Sequence, residues 1–203
     1  MIKNTFIFLT LIFLVFSISA QELDEKNDEP KTLLSDDVEI NGFGSLFMTL
    51  TKIDNSTIHM IGGGGAFIFN KKFFFGGYGL GMTTNLFADR GQFKEKEMDF
   101  GYGGILLGYV INNDARFHPA ISVLIGWGNI SSRSLTSTYV DRENYDNFFT
   151  VSPILELEIR IVKFFRIGIG ATYHYFSGIT FSDYTDNDFS NPGAYLSFKF
   201  GEF

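Results

Sequence analysis

Charged side chains recur in the second half of the chain with a spacing that can bring several of them together. The octapeptide ILELEIRI carries Glu156, Glu158 and Arg160 at every second position. Successive side chains of an extended chain point to opposite faces, so these charges share one face and the aliphatic residues share the other. Arg166 and Lys199 lie in later stretches of similar alternation. Buried charges must be paired, so we expect these five side chains to form a stabilising network, with a gate as the alternative.

A histidine and a serine further along the chain raise the question of covalent catalysis. His174 and Ser177 occur in the segment YHYFSG. A histidine within hydrogen-bond reach of a serine can activate the hydroxyl as a nucleophile. Because the two residues are three positions apart, a strand would place them on opposite faces. We therefore favour a structural histidine and assign no catalytic residue.

Other motifs that could bind ions lack the required spacing. Four consecutive glycines at residues 62–65 are followed by neither a Lys-Ser/Thr pair nor a helix pattern, so close strand packing is favoured over a phosphate loop. Asp183, Asp186 and Asp188 could offer oxygen ligands to calcium, but their order is not that of an EF-hand. His59 and His118 lie on separate segments. The sequence predicts no metal and no cofactor.

The N-terminal residues have the layout of a secretory signal. Lys3 precedes an uncharged apolar run over residues 6–16, and the small residues SISAQ follow. We expect residues 1–20 to be a cleaved signal peptide and residues 21–37 to form an acidic, solvated periplasmic tail. The formal net charge of -7 argues against nucleic acid as a partner. With no cysteine in the chain, stability must come from hydrogen bonding and burial alone.

The remainder of the chain has β-strand character in eight segments. Glycine, phenylalanine and β-branched residues recur every few positions, which disfavours helices. Each segment is at least as long as the roughly 9 to 11 residues that a tilted strand needs to cross a bilayer. The predicted strands cover residues 39–52, 57–70, 73–84, 97–111, 117–131, 148–161, 165–176 and 193–203.

The connections between these segments alternate in length. NKK, NNDA and VKF are short, whereas the polar segments at residues 85–96, 132–147 and 177–192 are long. Short turns on the periplasmic side and long extracellular loops are typical of bacterial outer-membrane barrels. The sequence therefore predicts an all-β fold: an eight-stranded antiparallel up-and-down transmembrane β-barrel over residues 38–203, preceded by the signal peptide.

Two hairpins can be registered from the sequence. In the first, Glu158 lies opposite Gly168 and diagonal to Arg166, with the glutamates in the lumen and the aliphatic face toward lipid. In the second, Gly64 lies opposite Tyr78, and we expect that pair on the lipid face. The opposite, lumenal face of the second hairpin would carry Phe67, Phe69, Phe73 and Phe75. In the strand at residues 97–111 an apparent change of parity predicts a bulge at Gly103 or Gly104.

The signal peptide, the strand count, the alternation of loops and the terminal YLSFKFGEF together resemble the small outer-membrane barrels of the OmpX and OmpA-transmembrane-domain type. The resemblance implies residence in the outer membrane of a Gram-negative bacterium and contact with outer-membrane lipid. It also implies assembly by the barrel-assembly and periplasmic chaperone machinery, and a packed interior. Members often end in phenylalanine with apolar residues at alternate positions before it; here Phe198 and Phe200 are out of phase with Phe203.

Loop composition indicates the function. The long loops are rich in tyrosine, phenylalanine and aspartate, which suit a contact surface. We therefore expect a non-enzymatic barrel with a closed lumen that acts through its extracellular loops in binding, adhesion or complex scaffolding, with a protein as the partner. The alternative is a lipid-modifying acyl hydrolase, because the segment around His174 superficially resembles the His-x-Ser segment of outer-membrane lipid A deacylases. A structure with His174 remote from any hydroxyl would remove the main support for that alternative.

Overall fold

The computed structural model describes residues 38–54, 56–88, 97–113, 115–133, 142–180 and 183–203. The predicted signal peptide and acidic tail lie outside these residues. The elements are β1 (Ile40–Ile53), β2 (Ser56–Phe69), β3 (Phe73–Met82), β4 (Leu86–Phe87), β5 (Glu97–Val110), β6 (Phe117–Arg133), β7 (Arg142–Val162), β8 (Phe165–Tyr173), β9 (Tyr175–Ser177), α1 (Asp186–Phe189) and β10 (Pro192–Gly201). No helix within the described ranges is long and apolar enough to span a membrane.

Eight long strands close into a ring. β1 pairs antiparallel with β2 on one side and with β10 on the other. The ring continues from β2 through β3, β5, β6, β7 and β8 to β10, with antiparallel pairing at every step. Two short strands add to the ring: β4 pairs with the first residues of β5, and β9 pairs with residues 149–151 of β7. The predicted antiparallel eight-stranded barrel is confirmed.

The register around the ring sets the width and tilt of the barrel. Leu50 of β1 pairs with Ala194, and the pairing followed through β8, β7, β6, β5, β3 and β2 returns to β1 at Ile40. Following the paired residues once around the ring therefore returns to β1 ten residues before the starting position, and we call this difference the register offset. Ten residues span about 33 Å and eight strands span about 38 Å, which gives a tilt of about 40°. A barrel of eight strands has an interior just wide enough for side chains.

The outer surface is an apolar band between two groups of aromatic side chains. On β6, Phe117 is 58% exposed at one end and Trp127 is 64% exposed at the other. Their separation of ten positions spans about 25 Å along the barrel axis at this tilt, which matches the apolar band of an outer-membrane barrel. The group near the short turns comprises Phe67, Phe73, Phe75, Tyr109, Phe117, Phe164 and Phe200, and the opposite group comprises Trp127, Phe149, Tyr173 and Tyr175.

The hairpin of β2 and β3 has the predicted register, but the face that was expected to meet lipid points into the lumen. Gly64 pairs with Tyr78 as expected. Tyr78 nevertheless points inward and is 8% exposed, whereas Phe67 points outward and is 63% exposed. Neither face of this hairpin carries a charge, so the alternation alone did not identify the lipid side. The prediction that Phe67, Phe69, Phe73 and Phe75 fill the lumen is wrong; Phe67, Phe73 and Phe75 belong to the aromatic group near the short turns.

The predicted bulge in β5 is also wrong. β5 pairs with β3 and β6 without a register shift at Gly103 or Gly104. Phe100 and Tyr102 are buried in the lumen, and Ile105 is exposed on the outer wall. The alternation is therefore regular, and the error came from placing the inward aromatic residues on the lipid face. Register shifts do occur elsewhere, between Ser131 and Ser132 and between Arg160 and Val162.

One side of the barrel rises above the rest. The pairing of β6 with β7 continues from Trp127 and Phe149 to Arg133 and Arg142, six residues further along β6. β5 accompanies β6 to the same level, because Glu97 pairs with Arg133. β7 accordingly begins six residues earlier than the predicted strand at residue 148. The rising strands belong to the end of the barrel that carries the long loops.

Candidate functional site: the barrel lumen

Inward side chains fill the lumen in three layers. Charged groups occupy the half near the short turns, polar uncharged groups surround a histidine in the middle, and aromatic rings occupy the end near the long loops. At the height of the charged layer, β1 and β3 contribute Phe43 and Phe74, whose ring centroids lie 5.8 Å and 5.4 Å from Lys199 Nζ. Each layer has its own chemistry.

Glu158 and Glu156 are the centre of the charged layer. Lys199 donates hydrogen bonds to both carboxylates. Arg166 Nη1 donates to Glu158 Oε2 over 3.1 Å, and Ser197 Oγ donates to Glu156 Oε2 over 2.8 Å. These five residues are at most 4% exposed. The structure thus brings together four of the five charged residues singled out from the sequence, in a layer where each carboxylate has a cationic partner.

Glycine provides the space for these carboxylates. Gly168 lies opposite Glu158 in the register of β7 and β8, as the sequence predicted. A Cβ atom at Gly168 would lie 2.1 Å from Glu156 Oε2 and 2.4 Å from Ser197 Oγ. The carboxylate of Glu156 therefore occupies the volume that any other residue at position 168 would fill.

His118 is a member of this layer that the sequence reasoning missed. Its Nε2 atom lies 2.9 Å from Glu158 Oε2 and 3.1 Å from Arg166 Nη1. The side chain is completely buried. His118 pairs directly with Glu158 across β6 and β7. Registering that pair of strands, which are joined by a long loop, would have found it.

Arg160 lies at the margin of the charged layer. The side chain is half-buried, and its guanidinium donates to the main-chain carbonyl of Asn113 in the turn between β5 and β6. Arg160 and Arg166 are directly opposite in the register of β7 and β8. Arg160 thus lies at the mouth of the barrel on the side of the short turns, and Arg166 is buried.

Phe203 enters the lumen and covers Arg166. The guanidinium carbon of Arg166 lies 3.7 Å from the centroid of the Phe203 ring. The ring also stacks on Phe43, with centroids 5.4 Å apart. Gly201, with a φ of 155° that favours glycine, directly precedes this turn of the chain inward. Phe203 is therefore out of phase with Phe200 because it packs inside the barrel.

His174 is the centre of the middle layer. Its Nδ1 atom lies 2.9 Å from Ser152 Oγ and 3.3 Å from the hydroxyl of Tyr102, and its Nε2 atom lies 3.1 Å from Thr49 Oγ1. Thr49 donates its proton to the carbonyl of Ala194 over 3.1 Å. Nε2 is then the ring donor to Thr49, and Nδ1 accepts from Ser152.

This arrangement bears on the hydrolase alternative. His174 is not remote from hydroxyl groups, so the condition that would have removed that alternative is not met. The adjacent serine is Ser152 rather than Ser177, on a different strand. Ser152, His174 and Tyr102 are each at most 5% exposed. A base is therefore adjacent to a hydroxyl, but both are sealed among lumen side chains.

Aromatic rings close the end near the long loops. Phe100 stacks on Phe148 with ring centroids 4.8 Å apart and on Phe189 of α1 with centroids 5.6 Å apart. Phe176 packs edge-on against Phe100. Phe189 is completely buried. The loop that contains α1 therefore contributes a ring to the lumen instead of standing apart from it.

Two of the three loop aspartates considered for calcium accept hydrogen bonds from other residues of the same loop. Asp186 Oδ1 accepts the amide of Ile179 over 2.7 Å. Asp188 Oδ2 accepts the amide and hydroxyl of Thr185 at the start of α1. Within the described residues no group of three histidine, cysteine or acidic side chains is placed to hold a metal ion. These carboxylates hold the loop that places Phe189 in the lumen.

Comparison with known proteins places the fold. No protein-family model matches the chain, and no curated protein sequence is similar to it. Neisserial surface protein A is similar in structure, with a TM-score of 0.58 and 7% identity over 81% of this chain and 97% of that one. The N-terminal barrel domain of Pseudomonas aeruginosa OprF has a TM-score of 0.52 and 9% identity over 78% and 96%. The chain folds as a small outer-membrane β-barrel.

The Ail protein of Yersinia pestis also matches, with a TM-score of 0.49 and 14% identity over 81% of this chain and 98% of that one. The matches to Neisserial surface protein A and the OprF domain confirm, at the level of fold, the small outer-membrane barrel of OmpX and OmpA-transmembrane-domain type that the sequence predicted. The exposed apolar band and its two aromatic groups agree with the outer membrane as the location of this barrel.

Proposed function

We propose that this barrel is a non-enzymatic protein with a closed lumen that acts through its extracellular loops in binding, adhesion or complex scaffolding. The observation that carries the proposal is the filled lumen. Buried charges, a buried histidine cluster and stacked rings occupy successive heights of the interior. A barrel filled in this way offers its partners the loop end.

The raised side of the barrel supports this proposal. Three strands, β5, β6 and β7, continue beyond the aromatic group that contains Trp127. These strands therefore hold the ends of their long loops away from the membrane. Loops on a rigid scaffold are common binding surfaces, and aromatic residues are enriched in such contacts. Surrounding lipid and the barrel-assembly and periplasmic chaperone machinery are the further partners that this proposal includes.

Exchange of the loop between β6 and β7 tests the proposal. Residues 134–141 are replaced by a glycine-serine segment of equal length, and variant and wild type are compared for capture of envelope or host-surface proteins by intact cells. The matched control is Lys163→Gly in the short turn between β7 and β8. We expect the loop exchange alone to abolish specific capture. Equal capture by all three proteins would contradict action through this loop.

An acyl hydrolase remains the second candidate because Ser152 Oγ lies 2.9 Å from His174 Nδ1. A fluorophosphonate probe that labels activated serines separates the two proposals. The non-enzymatic proposal predicts no labelling of wild type in outer-membrane vesicles. Labelling that is lost in Ser152→Ala, with retained folding, would establish the hydrolase instead.

A further inference from the structure

Two clefts on the outer wall join into one groove. The lower cleft, of about 410 Å³, is lined chiefly by apolar side chains of β1, β8 and β10. The upper cleft, of about 570 Å³, lies at the rim and includes Lys52, Thr57 and Asn191 in its lining. Leu50 and Ala194 belong to both clefts. The groove thus passes from an apolar lower part to a polar upper part.

Short side chains create the lower part of the groove. Ala194 points outward and pairs with Leu50 on one side and with Ala171 on the other. Leu50 is 44% exposed and Ile169 is 58% exposed, and both project beyond the two alanines. The resulting trough has the apolar lining and the width of two strands that suit an extended hydrocarbon chain.

The register gives the height of the upper end. Four successive strand pairings connect Leu46 of β1 to Trp127 of β6. Because the strands are tilted, these four steps place Trp127 about 12 Å above Leu46 along the barrel axis, toward the long loops. Lys52 is six residues above Leu46, or about 15 Å. Lys52 therefore stands about 3 Å from the level of Trp127, at the height where lipid headgroups begin.

Charge and polarity indicate what fills the groove. Lys52 is the cation in the lining of the upper cleft, and it lies at the long-loop end of β1. His59 borders the groove beside Leu50. A cation above an apolar trough is complementary to a phosphate that is linked to acyl chains. Thr57 and Asn191 add hydroxyl and amide groups for a sugar.

We propose that this groove binds one molecule of lipid A, the phosphorylated, multiply acylated glycolipid of the outer leaflet. One acyl chain lies over Ala194 between Leu50 and Ile169. A phosphate binds Lys52, and the sugar contacts the polar lining of the upper cleft. A phospholipid or a second copy of the chain is the competing occupant, and each gives a different result below.

The test is native mass spectrometry of the mature protein reconstituted in vesicles of lipid A and phosphatidylethanolamine. Lys52→Glu reverses the charge at the groove, and Ala194→Leu fills it. Lys163→Glu is the charge control, at a short turn. Gly79→Leu is the filling control, because it lies within about 1 Å of the height of Ala194 and a Cβ there meets no atom within 4 Å.

We expect wild type and both controls to retain one lipid A after delipidation, and both groove variants to retain at least tenfold less. Retention of phosphatidylethanolamine in place of lipid A would overturn the proposal, as would a dimer that is lost in Ala194→Leu. Equal retention by all five proteins would show nonspecific lipid and overturn it too. If Ala194→Leu does not fold, Lys52→Glu against Lys163→Glu still decides the outcome.

Discussion

At the scale of single residues, Glu158 has the most demanding environment in the barrel. Its carboxylate binds Lys199 and Arg166 and contacts His118, with 1% of the residue exposed. In Glu158→Ala, Arg166 loses its carboxylate partner while it stays buried. Removal of one partner of a buried pair costs about 3 to 5 kcal/mol. We expect a loss of this size in the free energy of unfolding, measured by urea titration in vesicles.

The double variant Glu158→Ala with Arg166→Ala should recover part of that loss, because both members of the pair are then absent. Glu39→Ala is the control, since Glu39 and Lys71 form an exposed pair at 3.2 Å. The control should change the free energy of unfolding by less than about 1 kcal/mol. Losses that simply add in the double variant would argue against a coupled network.

Phe203 is the second residue with a testable role. Phe203→Leu keeps an apolar side chain over Arg166 but removes the aromatic face that the guanidinium contacts at 3.7 Å. A desolvated cation–π contact contributes about 2 kcal/mol, so the variant should lose stability of that order. Phe200→Leu, on the outer wall, is the matched control and should lose less. Urea titration compares the two, and equal losses would place Phe203 outside the lumen.

Among the strand pairs, the hairpin of β7 and β8 could be predicted in both its register and its lumen-facing side. For the hairpin of β2 and β3 the sequence predicted the register but not the lumen-facing side. Glu156 and Glu158 on one face of β7 identify the lumen side, because charge is excluded from lipid. β2 and β3 carry glycine and apolar residues on both faces, so register could be deduced but facing could not. Facing there depends on the neighbours in the closed ring, which local patterning does not contain.

The partners of His174 could not be predicted from the sequence either, because they lie on strands that are distant along the chain. The bonds of Ser152 and Thr49 to His174 join strands far apart in sequence, with separations of 22 and 125 residues. A pattern of alternate residues places His174 in the lumen but does not choose its partner. The pairing requires the complete ring order and its offset of ten residues.

Adjacent residues of β3 test the corrected facing. Phe74 is 1% exposed in the lumen, whereas Phe75 is 47% exposed on the outer wall. Phe74→Ala should lower the free energy of unfolding by about 3 to 5 kcal/mol, because it leaves a cavity. Phe75→Ala should cost clearly less, because its side chain faces lipid. A larger loss in Phe75→Ala than in Phe74→Ala, measured by urea titration, would mean that Phe75 and not Phe74 points into the lumen, as the sequence had suggested.

β7 offers the corresponding test for the lipid face. Leu157 is 47% exposed on the outer wall, one position from the lumenal Glu158. Leu157→Arg should cost about 2 to 4 kcal/mol near mid-bilayer, where the charge has no water or partner. Leu157→Phe is the control and should fold with little loss. Equal tolerance of both substitutions would mean that this face does not meet lipid.

At the scale of the whole molecule, closure of the ring and filling of the lumen act together. Closure pairs the edges that β1 and β10 would otherwise expose, so every long strand has two neighbours. The offset of ten residues leaves an interior that side chains can fill. Stability without cysteine then depends on the ring of hydrogen bonds and on the packed interior. A shift in gel mobility on boiling is the expected signature of such a barrel.

Single-channel recording measures whether the lumen of this barrel is closed to ions. Purified wild-type protein is inserted in planar bilayers, with a general porin in the same lipid as the control for insertion and detection. We expect no steady conductance of porin size, because charged, polar and aromatic layers occupy successive heights of the interior. Large, reproducible conductance steps from the wild-type protein would contradict a closed lumen and make transport the leading function.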